Sequence, residues 1–147
     1  MLRHVLSIIC FALFPALAAD STAKADFFVS PKGDDRWSGR LADPGDGDGP
    51  FATVARAREA VRTLRKAQKE PRTVRVVLRG GTYYLDRPME FGPEDSGTER
   101  APVVYAAASG ENVAVSGGRP IVGGRWGEAN GRKAWVVDIP GVKEGKW

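Results

Sequence analysis

The chain of 147 residues holds one histidine, His4, and one cysteine, Cys10, and both lie within its first ten positions. From residue 11 onward there is neither imidazole nor thiol. That excludes thiolate nucleophiles, disulfide staples, Cys/His zinc sites, histidine general bases and Ser-His-Asp triads from the bulk of the protein. The chemistry that remains belongs to carboxylates, Lys and Arg, tyrosine, and oxygen-ligated cations such as calcium.

Two stretches concentrate carboxylates. Residues 32–50 contain five Gly, five Asp and a lone Trp37, and Asp43, Asp46 and Asp48 alternate there with glycines. A loop of this kind offers several oxygens to calcium, so these three aspartates are the candidate metal ligands, against the alternative of an ordinary solvated loop. The EF-hand pattern is not matched, because no Glu stands at the needed distance and Pro50 intervenes. The second stretch is Glu94-Asp95, with Glu90 and Glu99 nearby. Cleaving a glycosidic bond takes two carboxyls about 5 to 10 Å apart on either side of a sugar, and adjacent residues on one turn seldom provide that. Asp95-Ser96-Gly97-Thr98 reads better as a turn whose side chains bind backbone amides. No catalytic residue is assigned.

The elements that position these groups begin with an export segment. Arg3 and His4 precede an apolar run over residues 5–17, the length of a secretory signal core, and small residues follow it. Ala16, Ala18 and Ala19 mark the cleavage region, giving a signal peptide over residues 1–19, with a cut as late as residue 25 also permitted by Ala23 and Ala25. The run is too short for a membrane span and carries Pro15, so no membrane association is expected after its removal. Loss of Arg3 leaves 21 basic against 18 acidic residues, too mild an excess to argue for a nucleic-acid partner. The expected location is secreted, periplasmic or cell-surface.

Phe27-Phe28-Val29-Ser30 reads as a first strand closed by Pro31. The Gly/Asp-rich loop follows, with no packed element expected in it. Thr53 is the expected N-cap of a helix over residues 53–69 whose apolar stripe is Val54, Ala57, Val61 and Leu64, ended by Pro71. Its other face carries Arg56, Arg58, Arg62, Arg65, Lys66 and Lys69, expected to be solvated. Beyond it come only short strands: residues 74–78, 82–85, 89–91, 103–105, 113–115, 120–122 and 135–137. One helix followed by many brief strands is an all-β pattern and excludes a doubly wound α/β sheet.

Ser30-Pro31-Lys32-Gly33-Asp34-Asp35, Pro50-Phe51-Ala52-Thr53, Val76-Val77-Leu78-Arg79-Gly80-Gly81-Thr82-Tyr83, Pro93-Glu94-Asp95-Ser96-Gly97-Thr98, Ala101-Pro102-Val103-Val104-Tyr105 and Ser116-Gly117-Gly118 follow one another in a characteristic order, continuing to Trp126. In this the chain resembles the N-terminal part of secreted right-handed parallel β-helix proteins of the pectin-lyase-like superfamily, and most closely the large β-helix glycoside hydrolases. The resemblance implies that residues 26–72 form an N-terminal strand, the loop and an amphipathic capping helix, and that residues 73–147 form the first coils of a β-helix. Repeats of at least about 20 residues allow three coils at most there, with no closing cap, so the chain is expected to be truncated at its C-terminus.

The acid and base of such hydrolases would stand on later coils, so the resemblance implies an inactive scaffold whose polysaccharide substrate is met through missing downstream coils. Two alternatives stay open. One is a non-catalytic surface β-helix for adhesion or carbohydrate binding. The other is a calcium-dependent polysaccharide lyase, for which Arg75, Arg79, Arg87 and Arg119 are formally available as bases. Trp37, Trp126, Trp135, Tyr83 and Tyr84 have rings that could stack on sugars, although aromatics at strand positions are more often core, and no carbohydrate-stacking residue is assigned. No cofactor is expected, with calcium the one alternative kept open.

Overall fold

The structure is a computed structural model that describes residues 24–145. The cleavage-region residues Ala16, Ala18 and Ala19 lie outside the described residues.

Strand β1 (Phe27–Val29) is short because Pro31 cannot continue a ladder, and its flanking residues Phe27 and Val29 point inward. Helix α1 (Val54–Ala67) starts where expected: the Thr53 hydroxyl accepts the Arg56 amide at 3.1 Å. Val54, Ala57, Ala60 and Val61 bury one face, and Arg65 and Lys66 sit in the last turn, where basic side chains favour the negative helix end. Gln68 is already extended, so the helix ends two residues earlier than expected. Strand β2 (Val74–Leu78) alternates as its sequence dictates, with Val74, Val76 and Leu78 buried and Arg75 and Val77 turned out.

Strands β3 (Gly81–Tyr84), β4 (Val103–Ala107) and β5 (Val113–Ser116) complete two parallel sheets. The first has the order β1-β2-β4 and the second pairs β3 with β5. Val74 opposes Val103 and Leu78 opposes Ala107, partners 29 residues apart. Gly81 opposes Val113 and Tyr84 opposes Ser116, 32 residues apart. The two sheets are joined around a corner whose own backbone keeps the pairing going: the Ala108 amide donates to the Leu78 carbonyl at 2.8 Å and the Gly81 amide to the Asn112 carbonyl at 2.9 Å. Gly81 is required here, since its φ of +140° and the approach of Pro31 leave no room for a Cβ.

α1 packs against this framework, and the core is one cluster in which Phe51, Val29, Val61, Val74 and Val76 are almost wholly buried. Residues 32–50 contain no helix or strand, but the loop is folded rather than merely solvated. The Phe28 amide donates to the Gly39 carbonyl at 2.7 Å, and the Gly39 amide to the Gly49 carbonyl at 3.0 Å. Gly39, at φ +71°, lies flat under the Phe51 ring, where a Cβ would sit 2.2 Å from an aromatic carbon.

The described residues are thus mostly strand with one helix and no closed barrel, in keeping with the all-β expectation. Three expectations change. Residues 89–91 are not a strand: Pro88 and Pro93 flank them, no neighbour pairs with them, and the Arg58 guanidinium occupies the Glu90 carbonyl instead. Residues 120–122 are not a strand either, and leave Ile121 and Val122 largely exposed between Pro120 and Gly123. Where parallel coils were expected, β6 (Arg125–Ala129) and β7 (Arg132–Val136) form an antiparallel hairpin. Its two-residue turn is Asn130-Gly131, both at positive φ, the geometry that matches the strand twist.

Candidate functional site

A cleft of about 700 Å³ runs between the N-terminal turns of α1 and the segment from Thr82 to Met89. One wall is built by Asp35, although it stands 17 and 18 residues before its partners. Its carboxylate accepts the Ala52 amide at 2.8 Å, the Thr53 amide at 2.9 Å and the Thr53 hydroxyl at 2.8 Å. The positive end of the helix is satisfied by this carboxylate and by the Thr53 cap together. Arg56 then donates Nε to the Asp35 carbonyl at 3.1 Å and lies over the Phe51 ring, 4.6 Å from its centre.

The opposite wall is β3 together with residues 85–89. Alternation along β3 buries Tyr83 and turns Tyr84 out, about half exposed, onto the cleft. The Tyr83 hydroxyl lies 2.9 Å from the Val29 carbonyl and 2.7 Å from that of Arg79, and burial pushes its pKa up to about 12. Asp86 and Arg87 reach the cleft as exposed side chains that form no ion pair among the described residues. Arg58 and Glu59 pair at 2.9 Å along its floor.

The basic face of α1, expected to be solvated, is partly a clamp. Arg62 holds the buried Asp95 carboxylate with Nε and Nη2, both at 2.6 Å, and reaches Glu94 at 3.0 Å. Arg58 donates to the Glu90 carbonyl, and Arg65 to the carbonyls of Glu94 and Ser96. The chain returns across this face on its way to β4 with no strand to pair its carbonyls, and the guanidinium groups satisfy them. The Arg62 guanidinium holds the Asp95 carboxyl below the usual carboxylate range, helped by the Gly92 amide at 2.8 Å. Asp95 therefore anchors a 3-10 turn at Pro93–Asp95, in line with the expected turn role, and Thr98 accepts the Ala101 amide at 3.1 Å.

The three candidate calcium ligands are not brought together. Asp43 is ion-paired with Arg79 at 2.7 Å. Asp48 accepts the Ser38 amide at 2.7 Å and its hydroxyl at 2.6 Å, bonds that hold its carboxyl below the ordinary range. Asp46 is exposed at φ +49° in the turn between Gly45 and Asp48. Among the described residues no group of three His, Cys, Asp or Glu is placed to hold a metal ion. Arg79, one of the four formal bases, is held between Asp43 and Glu111, the latter at 2.9 Å. Glu111 in turn caps the corner by accepting the Gly80 amide, which draws its pKa down.

Among the aromatics, Tyr83 is core and Trp37 leans on Gly49 in the loop. Trp126 and Trp135 are cross-strand partners on the hairpin, edge to face with ring centres 5.5 Å apart, 65% and 60% exposed. Sequence reasoning passed over Asp35, Tyr84 and Asp86 as a group. Their common position depends on how β3 lies against the start of α1, and no local pattern announces it.

The described residues form a mostly β framework of two parallel ladders, with one helix packed against it and an antiparallel hairpin. No family model and no curated protein matches the chain. A solved structure titled "Glycoside hydrolase" is similar to it, with 34% identity over 78% of this chain and a TM-score of 0.63. The chain spans 18% of that protein's length.

Proposed function

We propose that this chain is the N-terminal scaffold portion of a secreted, carbohydrate-active right-handed parallel β-helix protein, a polysaccharide-degrading glycoside hydrolase, and is itself inactive. The observation that carries the reading is the similarity to a glycoside hydrolase, at an identity that speaks for relationship as well as shape. The two parallel ladders support the coil architecture, because their offsets of 29 and 32 residues are what one turn of a solenoid would give. In that arrangement α1 covers the apolar end of the first coil, and β4 and β5 offer their outer edges to the next. The export-type N-terminus supports action outside the cytoplasm.

The way the carboxylates are used supports the reading of inactivity. Of the best local cluster, Asp95 is buried against Arg62, and the exposed Glu94 pairs with the same guanidinium. The polysaccharide would be met by downstream coils. For the lyase alternative, Arg79 is neutralised from both sides, whereas Arg87 forms no ion pair among the described residues. The test is an assay on aryl-glycosides and on polysaccharides of the chain alone, beside a form extended by whatever its gene encodes after Trp147. Turnover is expected from the extended form only. Hydrolysis by the chain alone overturns the inactivity, and unsaturated uronate products from the extended form would make it a lyase.

A further inference from the structure

We infer that the cleft between α1 and the segment after β3 is a binding site for an uncharged glycan, separate from whatever centre performs hydrolysis. The inference rests on the carbohydrate-active reading above and names where, in this chain, a polysaccharide is held. Its volume of about 700 Å³ falls within the range of ligand sites. Tyr84 presents a half-exposed ring to it, and a flat aromatic face with one polar end suits the C–H face of a sugar. Its charged lining balances: Arg56, Arg58 and Arg87 against Asp35, Glu59 and Asp86. A cleft with no net charge gives a polyuronate no advantage, whereas paired donors and acceptors match the hydroxyls of a neutral sugar.

Within that lining the labour is divided. Asp35, Arg56, Arg58 and Glu59 are already engaged with the protein and fix the shape of the walls. Asp86 and Arg87 have no ion-pair partner among the described residues, so their acceptor and donor atoms are available to hydroxyls beside the Tyr84 ring. Tyr84 stands on a strand whose neighbour Tyr83 is buried in the core with its hydroxyl within hydrogen-bond distance of the Val29 and Arg79 carbonyls, which fixes this part of the wall. A preformed site loses little entropy on binding.

Affinity electrophoresis of the 147-residue chain through gels containing arabinoxylan, mixed-linkage glucan or polygalacturonate tests this. At least one neutral glycan should retard the chain, while any retardation by polygalacturonate should be the same for the parent and for variants of the cleft. Tyr84→Ala and Asp86→Asn should each weaken the retardation about tenfold or more, with far-ultraviolet circular dichroism unchanged because both side chains face solvent. Retardation that survives both substitutions but is lost in Trp126→Ala places the glycan on the hairpin and overturns the assignment, while leaving the carbohydrate-active reading intact. Absence of retardation by every neutral glycan also overturns it, and the turnover assay of the extended form then stands alone as the test of that reading. Retardation by polygalacturonate that the cleft variants weaken would refute the argument from charge balance.

Discussion

Replacing Phe51 by Ala tests where the stability of this scaffold resides. The Phe51 side chain is 1% exposed. It packs at 5.7 Å against Phe27, lies directly over Gly39, and carries the Arg56 guanidinium on a third side. It therefore ties β1, the Gly/Asp-rich loop and the start of α1 to one point. Truncating a buried Phe to Ala costs about 3–5 kcal/mol in transfer and cavity terms. Against a total stability of about 5–15 kcal/mol, and at about 4 °C per kcal/mol for a domain of this size, the melting temperature should fall by roughly 12–20 °C. A double-mutant cycle sharpens the reasoning. Gly39→Ala alone drives a methyl into the ring at a cost of about 1–3 kcal/mol. In the Phe51→Ala background that methyl meets empty space, so the steric part of the cost should vanish, leaving a coupling of at least about 1 kcal/mol. Urea titrations with equal slopes for all four proteins are the assay. A loss below about 1 kcal/mol for Phe51→Ala, or strictly additive costs, would refute the picture of a loop clamped on this ring.

Four further outcomes are expected. Trp126→Ala deletes a larger side chain but should cost no more than about 1 kcal/mol, because the indole is 65% exposed and contributes chiefly a cross-strand contact; a cost equal to that of Phe51→Ala would show the hairpin to be buried in solution. Asp95 has a folded pKa depressed by Arg62, so its stabilisation is complete above the unfolded value of about 3.9 and is lost as pH falls through the lower folded value. The melting temperature should drop across that acid window in the parent and drop less steeply in Asp95→Asn; parallel curves would remove Asp95 from the account. An ultraviolet titration should show Tyr83 and Tyr105 ionising only near pH 12, both raised first by burial, and their appearance two units lower in the folded protein would contradict the packing. Calcium titrated into the chain should give no saturable heat, since Asp43 and Asp48 already serve Arg79 and Ser38; a stoichiometric binding isotherm would reverse that conclusion.

What the sequence disclosed and what it hid divide along one physical line. Helix α1 and strand β2 were legible because a buried stripe imposes its own period, three to four residues for Val54, Ala57 and Val61, and two for Val74, Val76 and Leu78. The capping role of Thr53 was legible because a cap acts within one turn. Residues 89–91 and 120–122 carry the same apolar character without becoming strands, since a strand exists only where a neighbour stands to pair with it. The hairpin was overlooked although Asn130-Gly131 marks its turn, because Gly127, Glu128 and Lys133 dilute its strand pattern. The candidate site was the least legible part. Asp35 to Thr53, Arg79 to Glu111 and Arg62 to Asp95 join residues 18, 32 and 33 positions apart, and such pairs depend on the register of the folded ladders.

The use made of these charges bears directly on function. A glycosidase centre needs carboxylates whose oxygens stay free for a sugar and a water, in a space that can shift their pKa values apart. Here the carboxylates set into the framework do the opposite. Asp26 accepts Arg72 and the Arg75 amide, Asp35 holds the start of α1, Asp95 closes the clamp and Glu111 caps a corner. Asp35, Asp95 and Glu111 lie in turns or loops, and Asp26 lies just before β1. Their oxygens accept amide, guanidinium and, for Asp35, hydroxyl donors, and the carboxyls of Asp26, Asp95 and Glu111 are held below the usual range, away from general-acid work at neutral pH. The exposed acid on the cleft, Asp86, has no second free carboxylate among the lining residues to act with, because Asp35 and Glu59 are engaged. Among the described residues the framework carboxylates are therefore engaged in holding the chain's own turns and the start of α1 in place.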